Sequence, residues 1–143
     1  MSPAPVERQT RILVVQNDPV LLGLVSGSLR PEGLAIIEAK SPTDALRLAP
    51  QEFQTIDLVI AEINSRPITG IEFMRRLTRK GVNVPVLFMS ASRTMVNVIA
   101  GSLGQSAVIE EPFTGAQLRD SVNRCLSAQR DKDRDDYILS SAI

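Results

Sequence analysis

The chain has 143 residues, of which 43% are hydrophobic and 22% are charged, a length and composition that fit one folded domain rather than a disordered segment. Its 16 lysines and arginines balance its 16 aspartates and glutamates, which removes the general basic field that non-specific nucleic-acid binding requires. With one cysteine and no histidine, the chain lacks the residues for an internal disulfide, ordinary zinc ligation or a Cys-His nucleophile.

The sequence contains no signal for a membrane. No apolar run approaches the roughly 18 to 20 residues that a membrane-spanning helix needs, and residues 1–10 lack the apolar core of a signal peptide. We therefore expect a cytoplasmic protein that binds neither membrane nor nucleic acid. Residues 1–10 are predicted to form a flexible tail, residues 11–128 a single domain, and residues 129–143 a polar C-terminal extension that is either a frayed helix end or a solvated segment.

The first two predicted strands are each followed by a helical pattern. Residues 11–15 are an apolar, β-branched block, which suits a strand buried on both faces. Asp18 and the proline after it favour a helix start, because Asp can cap the first turn and Pro is tolerated at the first helical position. The second strand covers residues 34–39, and Ser41 opens a brief helix that is predicted to end near Pro50.

Three further strand and helix units follow. The strands are predicted at residues 56–63, 85–89 and 107–109, each with an amphipathic helical pattern after it. The third helix carries a group of cations on its outer side, namely Arg75, Arg76, Arg79 and Lys80. Such a group is most often a solvated helix face, and a partner-docking surface is the alternative.

Five strand-helix repeats with short connections predict an α/β fold, in which right-handed crossovers place a parallel sheet between two layers of helices. Ligands of such folds bind at the carboxyl ends of the strands. The loops after the first, third, fourth and fifth strands are expected to meet at one pocket. They contribute the polar residues Gln16, Asn17, Asp18, Glu62, Ser90 and Glu111.

This pattern resembles the receiver domain of two-component response regulators over about residues 11–128. The resemblance is carried by the apolar block before the first pocket loop, by Asp57-Leu58-Val59-Ile60, by Gly70 and Glu72, by residues 86–91 and by Glu110-Glu111-Pro112-Phe113. It implies a single flavodoxin-like (βα)5 doubly wound parallel sheet with strand order 2-1-3-4-5.

The resemblance also implies a phosphorylation site, and this chain departs from it at most positions. In the family, two acids bind a divalent metal, an aspartate accepts a phosphoryl group, a hydroxyl and an aromatic residue respond to it, and a lysine pairs with it. The corresponding residues here are Gln16 and Asn17 for the two acids, Glu62 for the acceptor, Ser90 for the hydroxyl, Val108 for the aromatic residue and Glu111 for the lysine.

These replacements predict that the domain is not a working phosphoacceptor and not an enzyme. Phosphoryl transfer depends on groups that neutralise charge on the transferring oxygens, and neutral amides are poor magnesium ligands. We expect no catalytic residue, no metal site, no cofactor, and lost or weak Mg²⁺ binding. Asp18 is read as a helix cap rather than a metal ligand.

Two interpretations of Glu62 remain open. It either imitates the phosphorylated state or is a polar residue left at a strand end. Glu62 and Glu111 are also expected to face each other, which should raise the pKa of one carboxyl unless a cation such as Arg66 or a bound metal lies between them.

We therefore predict a pseudo-receiver that acts by protein-protein interaction through its fourth helix, fifth strand and fifth helix, with the basic side of the third helix as a further surface. Because no output domain follows about residue 130, the expected partner is a sensor kinase, a downstream signalling protein or a second copy. One alternative is a response regulator that accepts phosphate on Glu62. Another is a flavodoxin-like cofactor binder, which Gln16-Asn17-Asp18-Pro19 disfavours because a phosphate loop needs glycine and hydroxyl groups.

Overall fold

The computed structural model of the protein describes residues 8–141. Its centre is one sheet of five parallel strands, arranged in the order β2-β1-β3-β4-β5. The strands are β1 (Arg11–Val15), β2 (Ala35–Ala39), β3 (Leu58–Glu62), β4 (Val86–Ser90) and β5 (Val108–Glu110). The predicted α/β class, the parallel sheet and the strand order are confirmed.

Within residues 8–141, six α-helices connect and follow the strands, and two short 3₁₀ turns accompany them. The helices are α1 (Pro19–Leu29), α2 (Pro42–Ala45), α3 (Pro50–Phe53), α4 (Gly70–Arg79), α5 (Arg93–Leu103) and α6 (Gly115–Ser141), and the 3₁₀ turns are Arg30–Glu32 and Gln105–Ala107. The prediction missed α3, because Pro50 was taken as a stop. Pro50 instead occupies the first position of a helix, where its missing N–H costs nothing.

Polar side chains begin the helices where the sequence indicates. Asp18 Oδ1 accepts a hydrogen bond of 2.9 Å from the backbone N–H of Val20, and Ser41 Oγ accepts one of 3.0 Å from Asp44. Both prolines that follow these caps lie in the first turn. Each cap satisfies an N–H that has no partner within its helix, so the predicted starts of α1 and α2 are confirmed.

The sheet is covered on both faces. On one face, Ile12 and Val14 pack with Leu118 of α6 and with α1. On the other face, Leu13 packs with Phe73 of α4. Successive residues of a strand point to opposite faces, so an uninterrupted apolar strand is what a sheet between two helix layers requires. This arrangement leaves the ends of the strands as the place for polar groups.

Hydrogen bonds or helix extend to both ends of the described chain. Residues 1–7 of the predicted tail lie outside the described residues, but Arg8 pairs with Asp57 at 2.6 Å and Gln9 donates to the carbonyl of Gly33. The predicted extension from residue 129 continues α6 as helix as far as Ser141, and residues 142–143 are not described. No helix within residues 8–141 is long and apolar enough to cross a membrane.

Gly70 fixes the start of α4 against the end of β3. Its N–H donates a hydrogen bond of 2.9 Å to the carbonyl of Ile63, and a Cβ at this position would lie 2.6 Å from the carbonyl oxygen of Glu62. That distance is shorter than a carbon and an oxygen tolerate, and the obstructing atom belongs to the backbone. Only glycine lets α4 approach the strand end this closely.

We expect Gly70→Ala to lower the free energy of unfolding by about 1 to 3 kcal/mol, because the backbone of α4 or β3 must shift to admit the methyl group. Gly23→Ala in the middle of α1 is the matched control. A Cβ there meets no atom within 4 Å, and alanine should stabilise the helix by up to about 1 kcal/mol. Urea denaturation of both variants measures the difference, and equal effects would contradict the close approach at Gly70.

Candidate functional site

Backbone hydrogen bonds continue the sheet beyond the ends of three strands. Gln16 N donates to Ala39 O at 3.0 Å, Ile63 N to Met89 O at 2.9 Å, and Glu111 N to Ser90 O at 2.8 Å. These bonds fix the first residues of the loops after β1, β3 and β5. The sheet therefore holds the backbone of the site as rigidly as its own strands.

A cleft of about 300 Å³ opens at this edge of the sheet. Four of the residues that the sequence assigned to the site line it, together with two cations from neighbouring loops. These lining residues are Gln16, Asn17, Asp18, Glu62, Lys40 and Arg66. Ser90, Val108 and Glu111 are not part of its wall. The predicted site residues are thus divided between the cleft and its surroundings.

The amide of Gln16 connects two parts of the cleft. Gln16 is 5% exposed, its Nε2 donates to Glu62 Oε2 at 3.3 Å, and its Oε1 accepts from the backbone N–H of Asp18 at 3.0 Å. The side chain therefore turns a donor toward the carboxylate and uses its acceptor on the backbone. Asn17 is exposed, and the carboxyl of Asp18 caps α1.

Glu62 and Glu111 form a pair of interacting carboxyl groups. Burial raises the pKa of Glu62 from its ordinary value. Burial, and after it the negative charges of Glu62 and Asp18, raise the pKa of Glu111 to about 7. The interaction between the two groups raises the pKa of Glu111 and lowers that of Glu62, so Glu111 is the member of the pair that takes up a proton first as the pH falls.

No cation within residues 8–141 forms an ion pair with either member of this glutamate pair. Arg66 and Lys40 line the cleft beside Glu62, but the ion pairs of the described chain do not include them. Arg93 pairs at 2.8 Å with the neighbouring Glu110 instead. The negative charge of the pair is therefore not neutralised by an ion pair with a described basic side chain.

Ser90 and Val108 are held in place by local contacts. Ser90 is fully buried, and its Oγ accepts a hydrogen bond of 3.1 Å from the backbone N–H of Ser92. Val108 packs in a hydrophobic cluster with Phe88 and Ile99. A β-branched side chain in such a cluster has little rotameric freedom. Neither residue is free to move without breaking a contact.

Sequence reasoning missed part of the cleft. Lys40 follows β2, and that loop was left out because only the loops after the other four strands were expected to meet. Asn64 also lines the cleft, and its backbone N–H lies near enough to the Glu62 carboxyl to lower the pKa of that group. The available signal was the position of Lys40 directly after a strand, where its side chain lies at the same edge as Gln16.

Comparison with known proteins identifies the family. The sequence pattern of the response regulator receiver domain matches residues 12–123, so the chain belongs to this family. It is 34% identical over 113 residues to the uncharacterized transcriptional regulatory protein YrkP of Bacillus subtilis, covering 78% of this chain and 47% of that protein. It is 29% identical over 136 residues to the alkaline phosphatase synthesis transcriptional regulatory protein SphR of Synechococcus elongatus, covering 90% and 52%.

Solved structures share the fold. A receiver domain from Clostridium thermocellum superposes with a TM-score of 0.73 at 20% identity, covering 85% of this chain and 97% of that one. The signal receiver domain of an HD domain-containing protein from Pseudomonas fluorescens gives 0.76 at 18% identity, covering 94% and 98%. The chain spans about half the length of the curated relatives named above, so their activities as whole proteins are not shown for it.

The glutamate pair predicts a stability that depends on pH. Folded Glu111 has a pKa of about 7, whereas an unfolded glutamate titrates at about 4.3. The folded state therefore binds more protons between these values, and the free energy of unfolding falls as the pH rises through that window. Glu111→Gln removes this loss. We expect the variant to match the parent at about pH 4 and to be more stable by about 1 to 2 kcal/mol at about pH 8, after allowance for solvent screening.

Denaturant titrations across this pH range test the prediction. Glu110→Gln is the control, because it removes the adjacent carboxyl that pairs with Arg93 and should not stabilise the protein at high pH. If the free energy of unfolding of Glu111→Gln equals that of the parent at every pH, folding does not raise the pKa of Glu111.

Proposed function

We propose that this receiver domain is a phosphorylation-independent pseudo-receiver, which transmits a signal by binding another protein. The observation that carries the proposal is that Glu62 and Glu111 lie close enough for their carboxyl groups to interact, with no ion pair to either of them among the described residues. By the resemblance, these residues take the places of the phosphoryl acceptor and of the lysine that pairs with the phosphoryl group. Two acids occupy the region where a phosphorylated receiver needs a cation.

The residues at this edge do not fit magnesium. Mg²⁺ prefers anionic oxygen ligands in near-octahedral geometry. Gln16 turns its NH₂ group toward Glu62 and gives its oxygen to the backbone of Asp18, so it offers no free oxygen beside the carboxylate. Within residues 8–141, no three acidic, cysteine or histidine side chains are grouped so as to hold a metal ion.

The charge at the site opposes a phosphoryl group as well. A transferred phosphoryl group brings about two negative charges, and Glu111 offers a carboxyl group, which cannot supply positive charge, where the family has a lysine. Ser90 Oγ already accepts a hydrogen bond from the backbone, and Val108 is packed in the core. The two residues that the resemblance assigns to the response are thus held by other contacts.

The proposed docking surface consists of α5, β5 and the first part of α6. These helices are the fourth and fifth helices of the sequence analysis, in which α3 was not predicted. The exposed apolar side chains of this surface include Val98, 51% exposed, and Leu103, 48% exposed. We propose a protein partner, either a sensor kinase or a downstream signalling protein, or a second copy of the chain, in the cytoplasm. The named relatives SphR and YrkP are transcriptional regulatory proteins, which supports a signalling context for the domain.

A second candidate is a response regulator with Glu62 as an atypical phosphoacceptor. It is favoured by the open cleft beside Glu62, where Lys40 and Arg66 carry the positive charge that a phosphoryl group needs. A flavodoxin-like cofactor binder is the weakest reading, because Asp18 places an acid where a phosphate would lie and the loop has no glycine.

Incubation with acetyl phosphate and Mg²⁺ tests the proposal. We expect no phosphorylated form of the parent chain by intact mass and no magnesium-dependent change in its spectra. The matched control is the variant Q16D/N17D/E62D/E111K, which places at each of these positions the residue type that the family uses there. If the scaffold is intact, this variant should bind Mg²⁺ and gain the mass of one phosphoryl group, because the missing interactions each contribute several kcal/mol.

A stable phosphorylated form of the parent chain, lost in Glu62→Gln, would overturn the pseudo-receiver proposal and establish the second candidate. A change on adding beryllofluoride and magnesium would do the same. The restored variant guards against a false negative, since its phosphorylation shows that the reagent and conditions are competent.

A further inference from the structure

One face of α4 carries an unusual density of positive charge. Phe73 and Leu77 turn inward and are buried. The opposite side is exposed and holds four cations, which we call the α4 basic face. They are Arg75, Arg76, Arg79 and the residue that ends the helix, Lys80, whose Nζ donates a hydrogen bond of 3.3 Å to the carbonyl of Leu46. Glu72 is the acid of this helix, whereas the chain as a whole has equal numbers of acids and bases.

Three arginines of this face share the carboxylate of Glu72. The contacts to its Oε1 are 3.4 Å from Arg76 Nε and 3.5 Å from Arg79 Nη1, and the contact to Oε2 is 3.9 Å from Arg75 Nη1. Each contact uses a single nitrogen at long range. A guanidinium has five N–H donors, so most of the donors of this face are not engaged by Glu72.

Helix stability accounts for only part of this arrangement. Cations in the last turn interact favourably with the helix dipole, and pairs with Glu72 at helical spacing add a little, together about 1 kcal/mol. Three guanidiniums around one carboxylate nevertheless leave like charges close together. Among residues 8–141, no other acid forms an ion pair with these arginines. The excess positive charge is available to an anion from outside the chain.

We propose that the α4 basic face binds an acidic segment of a partner protein. This inference rests on the proposed docking function and names the chemistry of a partner for it. Arginine is suited to this role because its planar fork can bind a carboxylate through two parallel hydrogen bonds. A segment with several aspartates or glutamates would satisfy the donors that Glu72 leaves open.

Nucleic acid fits this face less well. A helix of ten residues is about 15 Å long, and four cations on it cannot supply the six or more phosphate contacts typical of duplex binding. Single strands need aromatic side chains on which bases stack, and none lies on the exposed side of α4. The zero net charge of the chain also leaves no wider basic field to attract phosphates.

Titration of isotope-labelled protein with an oligoglutamate peptide, followed by NMR at low salt, tests the proposal. We expect shifts that concentrate in residues 70–80, that weaken as salt is added, and that are absent with an oligoglutamine peptide. The variant R75E/R79E should bind at least about tenfold more weakly, a difference of about 1.4 kcal/mol. R75Q/R79Q, which removes charge without reversing it, should fall between the variant and the parent.

R130E/R134E is the matched control, since it changes the net charge equally but lies on α6, which packs on the other face of the sheet from α4. It should bind the peptide within about twofold of the parent. Equal weakening in both double variants, or tighter binding of a thymidine oligonucleotide than of oligoglutamate, would overturn the proposal. The phosphorylation experiments do not involve α4, so failure of this inference is distinguishable from failure of the pseudo-receiver proposal.

Discussion

The site depends on backbone hydrogen bonds that run one residue past the strands. The bonds from Ile63 to Met89 and from Glu111 to Ser90 fix where the loops begin, and the contact of Gly70 with the Glu62 carbonyl fixes where α4 begins. None of these interactions uses a side chain of the cleft. The geometry of the edge is therefore set by the sheet, whatever side chains are placed on it.

This separation allows a receiver fold to carry different side chains at its pocket. The core consists of apolar strand residues and of helix residues such as Phe73 and Leu118, both of which are fully buried. Under the proposed correspondence, an acid replaced by Gln16 or a lysine replaced by Glu111 lies at a strand end outside the hydrophobic clusters, so the hydrophobic contribution of the core to folding is kept. Membership of the family thus establishes the fold, and the function must be argued from the residues at the edge.

The sheet could be predicted because each strand is a short apolar block, and a block of that length favours a buried strand over other structures. The prediction of elements failed at residues whose type fits two structural roles. Pro50 can end a helix or begin one, and its local sequence does not decide between them. Asp57 lies inside the strand predicted at residues 56–63, whereas in the structure it precedes β3 and its carboxylate accepts hydrogen bonds from Arg8 and from the backbone of Arg11. That contact joins residues far apart in sequence.

The carboxyl pair was predicted from the sequence, whereas the residues that line the cleft were predicted only in part. Sequence alone placed Glu62 and Glu111 at one edge, since parallel strands bring their carboxyl ends together. That the pKa of Glu111 is raised to about 7 depends on burial and on the nearby charges of Glu62 and Asp18, and the degree of burial does not follow from spacing. A carboxyl whose pKa is raised by folding lowers the stability of the folded state as the pH rises through that pKa. Local sequence preferences are expected to fail at functional sites, and this unfavourable pair beside an intact core supports the proposal that the function lies at this edge of the sheet.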